Sequence, residues 1–89
     1  MNRYDVFVSK SAFNFLEKID EEKRGRILKE IADLENFPFF SIQHDMAKIK
    51  GEKNLYRLRI GNIRIIFRVD KVARKIYVET ISQRKSAYK

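Results

Sequence analysis

Residues 55–68 read LYRLRIGNIRIIFR, and this stretch predicts a β-hairpin. Two runs rich in β-branched and aromatic residues flank Gly61-Asn62, a step of the kind that closes two-residue hairpin turns. A turn at this place determines the register of the two strands, because the residues on either side of it face each other. The cross-strand pairs predicted in this way are Ile60 with Ile63, Leu58 with Ile65, and Tyr56 with Phe67.

The two faces of the predicted hairpin differ in their chemistry. Side chains alternate along a strand, so the six paired residues share one apolar face. Arg59 and Arg64 lie directly across from each other on the opposite face, and like charges in such a pair repel. A polyanion bound to this face would compensate for the repulsion. The four arginines of this face are Arg57, Arg59, Arg64 and Arg68.

The length and composition of the chain limit its class. Its 89 residues are enough for one domain, spanning residues 1–89. The absence of cysteine excludes disulfides, thiolate metal sites and a cysteine nucleophile. The first residues contain no apolar signal segment, and no apolar run reaches the length of a membrane span. We therefore expect a soluble, cytoplasmic protein without a membrane partner.

The net charge of +8 is distributed unevenly along the chain. Residues 1–47 contain seven basic and nine acidic side chains, which gives −2. Residues 48–89 contain thirteen basic and three acidic side chains, which gives +10. Such asymmetry indicates nucleic acid or another acidic partner. A solvated charged surface on a protein of high pI is the alternative explanation.

Two helices are predicted ahead of the hairpin. Ser9 or Ser11 can cap a first helix that runs to about Ile19. Asp20 can cap a second helix that runs to about Asn36. The residues expected to face the core are Phe13, Leu16 and Ile19 in the first helix and Ile27, Leu28, Ile31 and Leu34 in the second.

Further strands are predicted on both sides of the helices and the hairpin. Residues 3–8 alternate as a strand does, a short strand is expected around residues 48–50, and a final strand over about residues 75–82. The order β-α-α-β-β-β predicts an α+β fold with a helical hairpin packed on a small antiparallel β-sheet. The helices would cover the apolar face and leave the arginines open to solvent.

The chain contains few residues suited to most types of enzyme catalysis. His44 is the single histidine, and the carboxylates after residue 48 are Glu52, Asp70 and Glu79, too scattered for a paired acid and base. Glu79 is expected to balance a nearby arginine. Arginine binds phosphate oxygens with two parallel hydrogen bonds and keeps its charge. Cleavage of RNA by its own 2′-hydroxyl needs only in-line geometry and stabilisation of charge on phosphorus, without a metal or cofactor.

Three motifs are similar to those of a known family. They are KIKG at 48–51, LYRLRIGNIRIIF at 55–67 and ISQRKSAYK at 81–89. With the chain length and element order, they resemble the RelE/ParE toxin superfamily of toxin–antitoxin modules, and RelE more closely. The resemblance implies the same α+β fold. It also implies a toxin that acts as a ribosome-dependent endoribonuclease, cleaving mRNA in the A site and inhibiting translation.

The resemblance also implies which residues form the site. This chain has arginine at both positions of the first hairpin strand where the best-known member has lysine, and arginine does not serve as a base. The identity of the general base therefore stays open. The catalytic residues implied are Arg57, Arg59, Arg64, Arg84 and Tyr88, and the RNA-binding residues implied are Lys48, Lys50, Arg68 and Lys85.

Two other functions are compatible with the same motifs. A ParE-type toxin shares the fold but poisons DNA gyrase, and a non-catalytic RNA-binding or inactivated relative would bind without cleaving. The partners implied by the resemblance are mRNA, the ribosome and a RelB-like antitoxin that is acidic and partly disordered when free. Operator DNA could be reached through the antitoxin complex. The resemblance implies no metal and no cofactor.

Overall fold

The computed structural model describes residues 3–38 and 45–83. The helical part consists of two α-helices followed by a short 3₁₀ helix. Neither helix in these described ranges is long and apolar enough to span a membrane. In chain order the elements are β1 (Asp5–Val8), α1 (Lys10–Lys18), α2 (Glu21–Asp33), the 3₁₀ helix (Leu34–Asn36), β2 (Asp45–Lys48), β3 (Leu55–Ile60), β4 (Ile63–Asp70) and β5 (Lys75–Gln83).

The five strands form one sheet in the order β1-β5-β4-β3-β2. Strands β2 to β5 pair antiparallel, as expected, but β1 lies parallel to β5. The sheet is therefore mixed, and the expectation of a wholly antiparallel sheet was wrong in this respect. The alternation of apolar residues in β1 predicts a strand but does not predict whether it runs parallel or antiparallel to its neighbour. The helical hairpin between β1 and the other strands is long enough to permit either direction.

The strand before the hairpin differs from its predicted place and from the predicted element order. It occupies Asp45–Lys48 instead of residues 48–50, so four strands follow the helices where the order β-α-α-β-β-β has three. Its four residues pair with β3, from Asp45 opposite Arg59 to Lys48 opposite Tyr56. A four-residue edge strand carries too few alternations to be located by sequence pattern, and its position is determined by pairing with β3.

The hairpin has the predicted register in full, with Ile60 opposite Ile63 and Arg59 opposite Arg64. Gly61 has φ of +60°, and Asn62 does not adopt a positive φ. A positive φ at the first turn position alone is the pattern of a type II′ turn, which favours glycine there. The turn residues therefore determine which side chains share each face of β3 and β4.

Both predicted helix caps are confirmed. The Ser9 hydroxyl accepts a hydrogen bond from the backbone N–H of Ala12 at 3.0 Å and donates one to the carbonyl of Glu79 at 2.8 Å. Asp20 accepts a hydrogen bond from the N–H of Lys23 at 3.2 Å. Ser9 therefore starts α1 and also ties it to β5, which positions the helical hairpin over the sheet.

The core lies between the helices and the apolar face of the sheet, where Phe67, Leu58 and Ile65 are fully buried. Leu16 and Ile19 contact this core as expected, and so do Ile27, Ile31 and Leu34. Within residues 3–38 and 45–83, the buried apolar residues are Tyr4, Ala12, Leu16, Ile27, Ile31, Leu34, Phe37, Leu58, Ile63, Ile65, Phe67, Val69, Ile76, Val78 and Ile81.

Two residues expected in the core are exposed: Phe13 at 52 % and Leu28 at 45 %. The stripe of α1 that faces the sheet runs through Ala12 and Leu16, so Phe13 is turned about 100° from Ala12. Leu28 is displaced in the same way from Ile27. Each apolar stripe is thus narrower than predicted, and both side chains line one groove with Leu16, Glu17 and Arg24.

Candidate nucleic-acid interface

The face of the sheet opposite the helices carries Arg57, Arg59, Arg64 and Arg68, and we call it the arginine face. Residues next to a two-residue turn exchange hydrogen bonds, so Arg59 and Arg64 form the following, non-hydrogen-bonded pair with Cα atoms about 4.5 Å apart. Arg57 faces Ile66 two residues further along the strands, in the next row of side chains on the same face. Three arginines therefore lie within two adjacent rows of the sheet, close enough to contact one phosphate group or two neighbouring ones.

Arg59 is paired with a carboxylate from β2. Asp45 lies directly opposite Arg59, and the Nε of Arg59 donates to Oδ2 of Asp45 at 3.0 Å. Their side chains are 40 % and 54 % exposed, so the pair contributes little to stability, on the order of 0–1 kcal/mol. Its effect is to orient the guanidinium and to remove part of its charge from the face.

Arg68 is held by two contacts. Its Nε donates to Oε2 of Glu79 at 3.0 Å, and its Nη1 donates to the carbonyl of Lys53 at 3.2 Å. The pairing of β4 with β5 shifts register between Ile66 and Phe67, opposite the Glu79 segment. Glu79 thus balances an arginine, as expected from the sequence. Arg68 therefore joins β4 to β5 and the β2–β3 loop, and its charge, like that of Arg59, is partly neutralised by a carboxylate.

Arg57 and Arg64 have no ion pair or side-chain hydrogen bond within residues 3–38 and 45–83. The Nε of Arg57 is buried and finds no acceptor there. A buried donor without an acceptor costs about 1–3 kcal/mol. The exposed Arg64 lies on β4 beside Ser82 of β5. Arg57 and Arg64 are therefore the members of the face whose charge is not neutralised by a carboxylate within the described residues.

The lysines predicted to bind RNA are placed differently. Lys48 lies opposite Tyr56, so its side chain leaves the sheet on the helix-covered side and not on the arginine face. Lys50 is exposed in the β2–β3 loop, which lines a shallow surface depression with Gly51 and Glu52. The structure thus brings the arginines together and leaves both lysines at the sheet edge.

The remaining predicted site residues, Arg84, Lys85 and Tyr88, follow β5 and lie outside the described part of the chain. His44, which the sequence did not place in the site, also lies outside it, before β2. The described chain ends at Gln83, opposite Ile63 and next to the row of Arg64. The roles of Arg84, Lys85 and Tyr88 in the site therefore stay predictions from the motif ISQRKSAYK.

Asp45 is a site residue that the sequence pattern did not reveal. It precedes Arg59 by fourteen positions, and the contact depends on the register of β2 against β3. An acidic residue that opens a short strand shortly before an arginine-rich hairpin would have been the available signal.

Comparison with known proteins adds independent support for the family. The chain is 28 % identical over 87 residues to the RelE1 protein of Methanocaldococcus jannaschii, covering 98 % of this chain and 97 % of the relative. It is 30 % identical to a chain in the crystal structure of the RelB–RelE antitoxin–toxin complex from Methanococcus jannaschii, covering 92 % and 94 % of the two chains with a TM-score of 0.73.

A second archaeal structure superposes over a larger share of the chain. This crystal structure of the RelE–RelB complex from Pyrococcus horikoshii has a TM-score of 0.82 at 27 % identity and covers 98 % of this chain and 100 % of the other. No family model matches the sequence. The sequence motifs, the mixed sheet under a helical hairpin and these relatives agree, and the chain belongs to the RelE-like toxin superfamily.

Proposed function

We propose that this toxin is a ribosome-dependent endoribonuclease that cleaves mRNA in the A site and so inhibits translation in the cytoplasm. The observation that carries the proposal is a pair of arginines, Arg57 and Arg64, that have no ion pair within the described residues and lie on the sheet face opposite the helices. A face with this free charge is better suited to binding a phosphodiester than to binding a neutral protein surface. Gyrase poisoning does not require a cluster that holds a phosphate.

The proposed reaction is attack of a ribose 2′-oxygen on the adjacent phosphorus, with breakage of the bond from phosphorus to the 5′-oxygen. Charge grows on the non-bridging oxygens in the transition state, and Arg57 and Arg64 would stabilise it. Asp45 would keep Arg59 oriented toward the same phosphate. The proton of the 2′-hydroxyl must pass to a group other than these arginines, because arginine stays protonated.

Induced expression followed by primer extension on a translated message tests the function. We expect translation arrest with cuts inside codons, and no cuts in a message that lacks a start codon. Double-strand DNA breaks with intact mRNA would assign the chain to the gyrase-poisoning class. RNA binding without arrest or cleavage would favour the non-catalytic alternative.

Replacing Asp45 by asparagine should strengthen RNA binding. The Asp45→Asn variant releases Arg59 from its carboxylate, so we expect about two- to five-fold tighter binding of single-stranded RNA and a steeper dependence on salt. Fluorescence anisotropy at several salt concentrations measures both. Glu17→Gln removes the same charge from α1 and should leave RNA affinity unchanged. Weaker binding by Asp45→Asn would mean that orienting Arg59 matters more than its charge.

Substitution of Tyr88 can separate proton transfer from stacking. A tyrosine beside the phosphate can hydrogen-bond the reacting hydroxyl or stack on a splayed base. We expect Tyr88→Ala to lower the rate of cleavage about 100-fold, which is the lower end of the usual range for general acid–base catalysis. Tyr88→Phe should show the same loss if the hydroxyl acts in the reaction. Full activity of Tyr88→Phe would leave stacking as the role, and full activity of both would remove Tyr88 from the site.

We further propose that the chain is neutralised by a RelB-like antitoxin, because the archaeal relatives described above crystallise as RelE–RelB complexes. An acidic, partly disordered antitoxin could cover the arginine face as it folds. The exposed Phe13 and Leu28 offer apolar anchor positions in the groove between the helices. Operator DNA would then be reached through the antitoxin and not through the toxin alone.

The antitoxin proposal predicts two separable effects on binding. The double variant Phe13→Ser with Leu28→Ser should dissociate from the antitoxin at least ~10-fold faster, because buried apolar anchors supply most interface affinity. High salt should slow association while the complex persists, because charge steers the encounter. Surface plasmon resonance with the product of the adjacent gene measures both rates.

Val72→Ser provides the control for this test, since Val72 is an exposed apolar residue in the β4–β5 turn, 95 % accessible. It should not change either rate. Equal dissociation of the double variant and the native chain would exclude the groove between the helices as the anchor. The absence of any complex with the neighbouring gene product at low and high salt would contradict the antitoxin proposal itself.

A further inference from the structure

Two aromatic side chains lie on the arginine face away from the hairpin turn. Phe7 of β1 pairs with Tyr77 of β5, and Tyr77 pairs with Arg68 of β4, so all three leave the sheet on the same side. The rings of Phe7 and Tyr77 stack with centroids 5.6 Å apart and an interplanar angle of 21°. They remain 44 % and 38 % exposed, and we call them the aromatic pair.

The aromatic pair is not part of the core. The rings of Phe37, Tyr56 and Phe67 contact one another on the helix-covered face, whereas the aromatic pair lies on the opposite face. Leaving two large rings partly in water forfeits favourable burial that a ligand could supply. A single exposed apolar residue needs no explanation, but two stacked rings beside a charged binding face indicate a contact surface.

The charge around the aromatic pair is balanced. Lys75 lies opposite Asp5 in β1 and Asp70 in β4, and its amine is 5.8 Å from the centre of the Phe7 ring. Arg68, the neighbour on the other side, is neutralised by Glu79. Among the described residues, this end of the face therefore holds no excess positive charge for a phosphate, and it suits a flat, uncharged ligand instead.

The spacing connects the aromatic pair to the free arginines. Tyr77 lies one two-residue step and two strands from Arg57, which places their Cα atoms on the order of 12 Å apart. A single-stranded backbone covers this distance within a few nucleotides. A strand whose phosphate sits on Arg57 and Arg64 can thus bring an unpaired base over the aromatic pair.

We propose that Phe7 and Tyr77 form a stacking site for an unpaired base of the single-stranded RNA whose backbone lies on Arg57 and Arg64. The proposal rests on the proposed function, since it adds a base site to the same RNA path. Stacking on aromatic rings accepts any base, because every base has a flat π face. The aromatic pair would therefore position the message without selecting its sequence.

The test measures binding of a short single-stranded RNA by the full chain in fluorescence anisotropy. We expect Tyr77→Leu and Phe7→Leu each to weaken binding roughly 5- to 150-fold, the range for loss of one stacked base. Tyr77→Phe keeps the ring and should bind like the native chain. The dependence on salt should not change, because no phosphate contact is lost. The measurement is repeated with a series of RNAs, each of which lacks the base at one position. For one RNA of the series, Tyr77→Leu should bind as tightly as the native chain, because the base that stacks on the aromatic pair is already missing.

Native affinity in both leucine variants would overturn the stacking site. So would a loss that is identical for normal RNA and for every abasic RNA, or a loss confined to antitoxin binding, which would make the pair a protein contact. Absence of RNA binding by the native chain would also overturn it. The cleavage assay tests the proposed function separately from RNA binding. A substitution such as Arg57→Ala can weaken binding whether or not the RNA is cut, so the two assays can give different results.

Discussion

Replacing Arg64 by alanine is expected to lower mRNA cleavage about 100- to 1,000-fold, the usual loss when one preorganised donor to a developing oxyanion is removed. Arg64 is exposed on β4, lies directly opposite Arg59, and has no partner within the part of the chain that the structure describes. Its charge is therefore available to the scissile phosphate without breaking an existing contact. Cleavage on programmed ribosomes measures the effect.

The matched control for Arg64 is Lys71→Ala, which removes the same charge from the exposed β4–β5 turn and should keep full activity. The Arg64→Ala variant should retain native thermal stability, because no hydrogen bond or ion pair within the described residues is lost. Arg84→Ala is expected to behave like Arg64→Ala, on the strength of the tail motif. Full toxicity in both arginine variants would show that the site lies elsewhere.

Replacing Phe67 by alanine is expected to reduce the free energy of unfolding by about 3–5 kcal/mol, the usual cost of truncating a buried phenylalanine. Phe67 is fully buried, and its ring stacks on Tyr56 at 5.7 Å and meets Phe37 edge-on at 6.2 Å. Small domains have a total stability of about 5–15 kcal/mol, so this loss removes a large part of it. The midpoint of urea denaturation measures the change.

Phe13→Ala serves as the control for Phe67→Ala, because it removes the same side chain at a position 52 % exposed. It should shift the urea midpoint far less than Phe67→Ala does. Equal shifts would contradict the burial assigned to these two rings. Loss of RNA binding by Phe67→Ala at temperatures where the chain stays folded would contradict the separation of the core face from the arginine face.

Local rules were sufficient for the hairpin and the helix starts. Gly61 permits the turn, the turn pairs Ile60 with Ile63, and alternation then places Arg59 and Arg64 together on the open face. Ser9 and Asp20 could be identified as helix caps because the side-chain oxygen and the backbone N–H that it binds are only a few residues apart in the sequence. Each of these features depends on neighbours in the sequence, so the chain alone determines them.

The pairing of the arginines depended on contacts between distant segments. Asp45 reaches Arg59 because β2 pairs with β3 in one register, and Glu79 reaches Arg68 where β4 and β5 shift register. The sequence predicted four arginines on one face and an acidic balance at Glu79, but not which arginines keep their charge. That distinction separates Arg57 and Arg64 from the others.

The sequence by itself determined the α+β class, the hairpin register, the arginine face and the family resemblance, because period, turn chemistry and motif are local properties. Only the tertiary structure decided that β1 runs parallel to β5, which brings Phe7 beside Tyr77 on the arginine face. It also decided that Phe13 and Leu28 stay exposed and that Lys48 leaves the sheet on the helix-covered side. Strand direction, edge register and helix rotation are decided by packing between segments far apart in the chain, which the pattern of one segment does not specify.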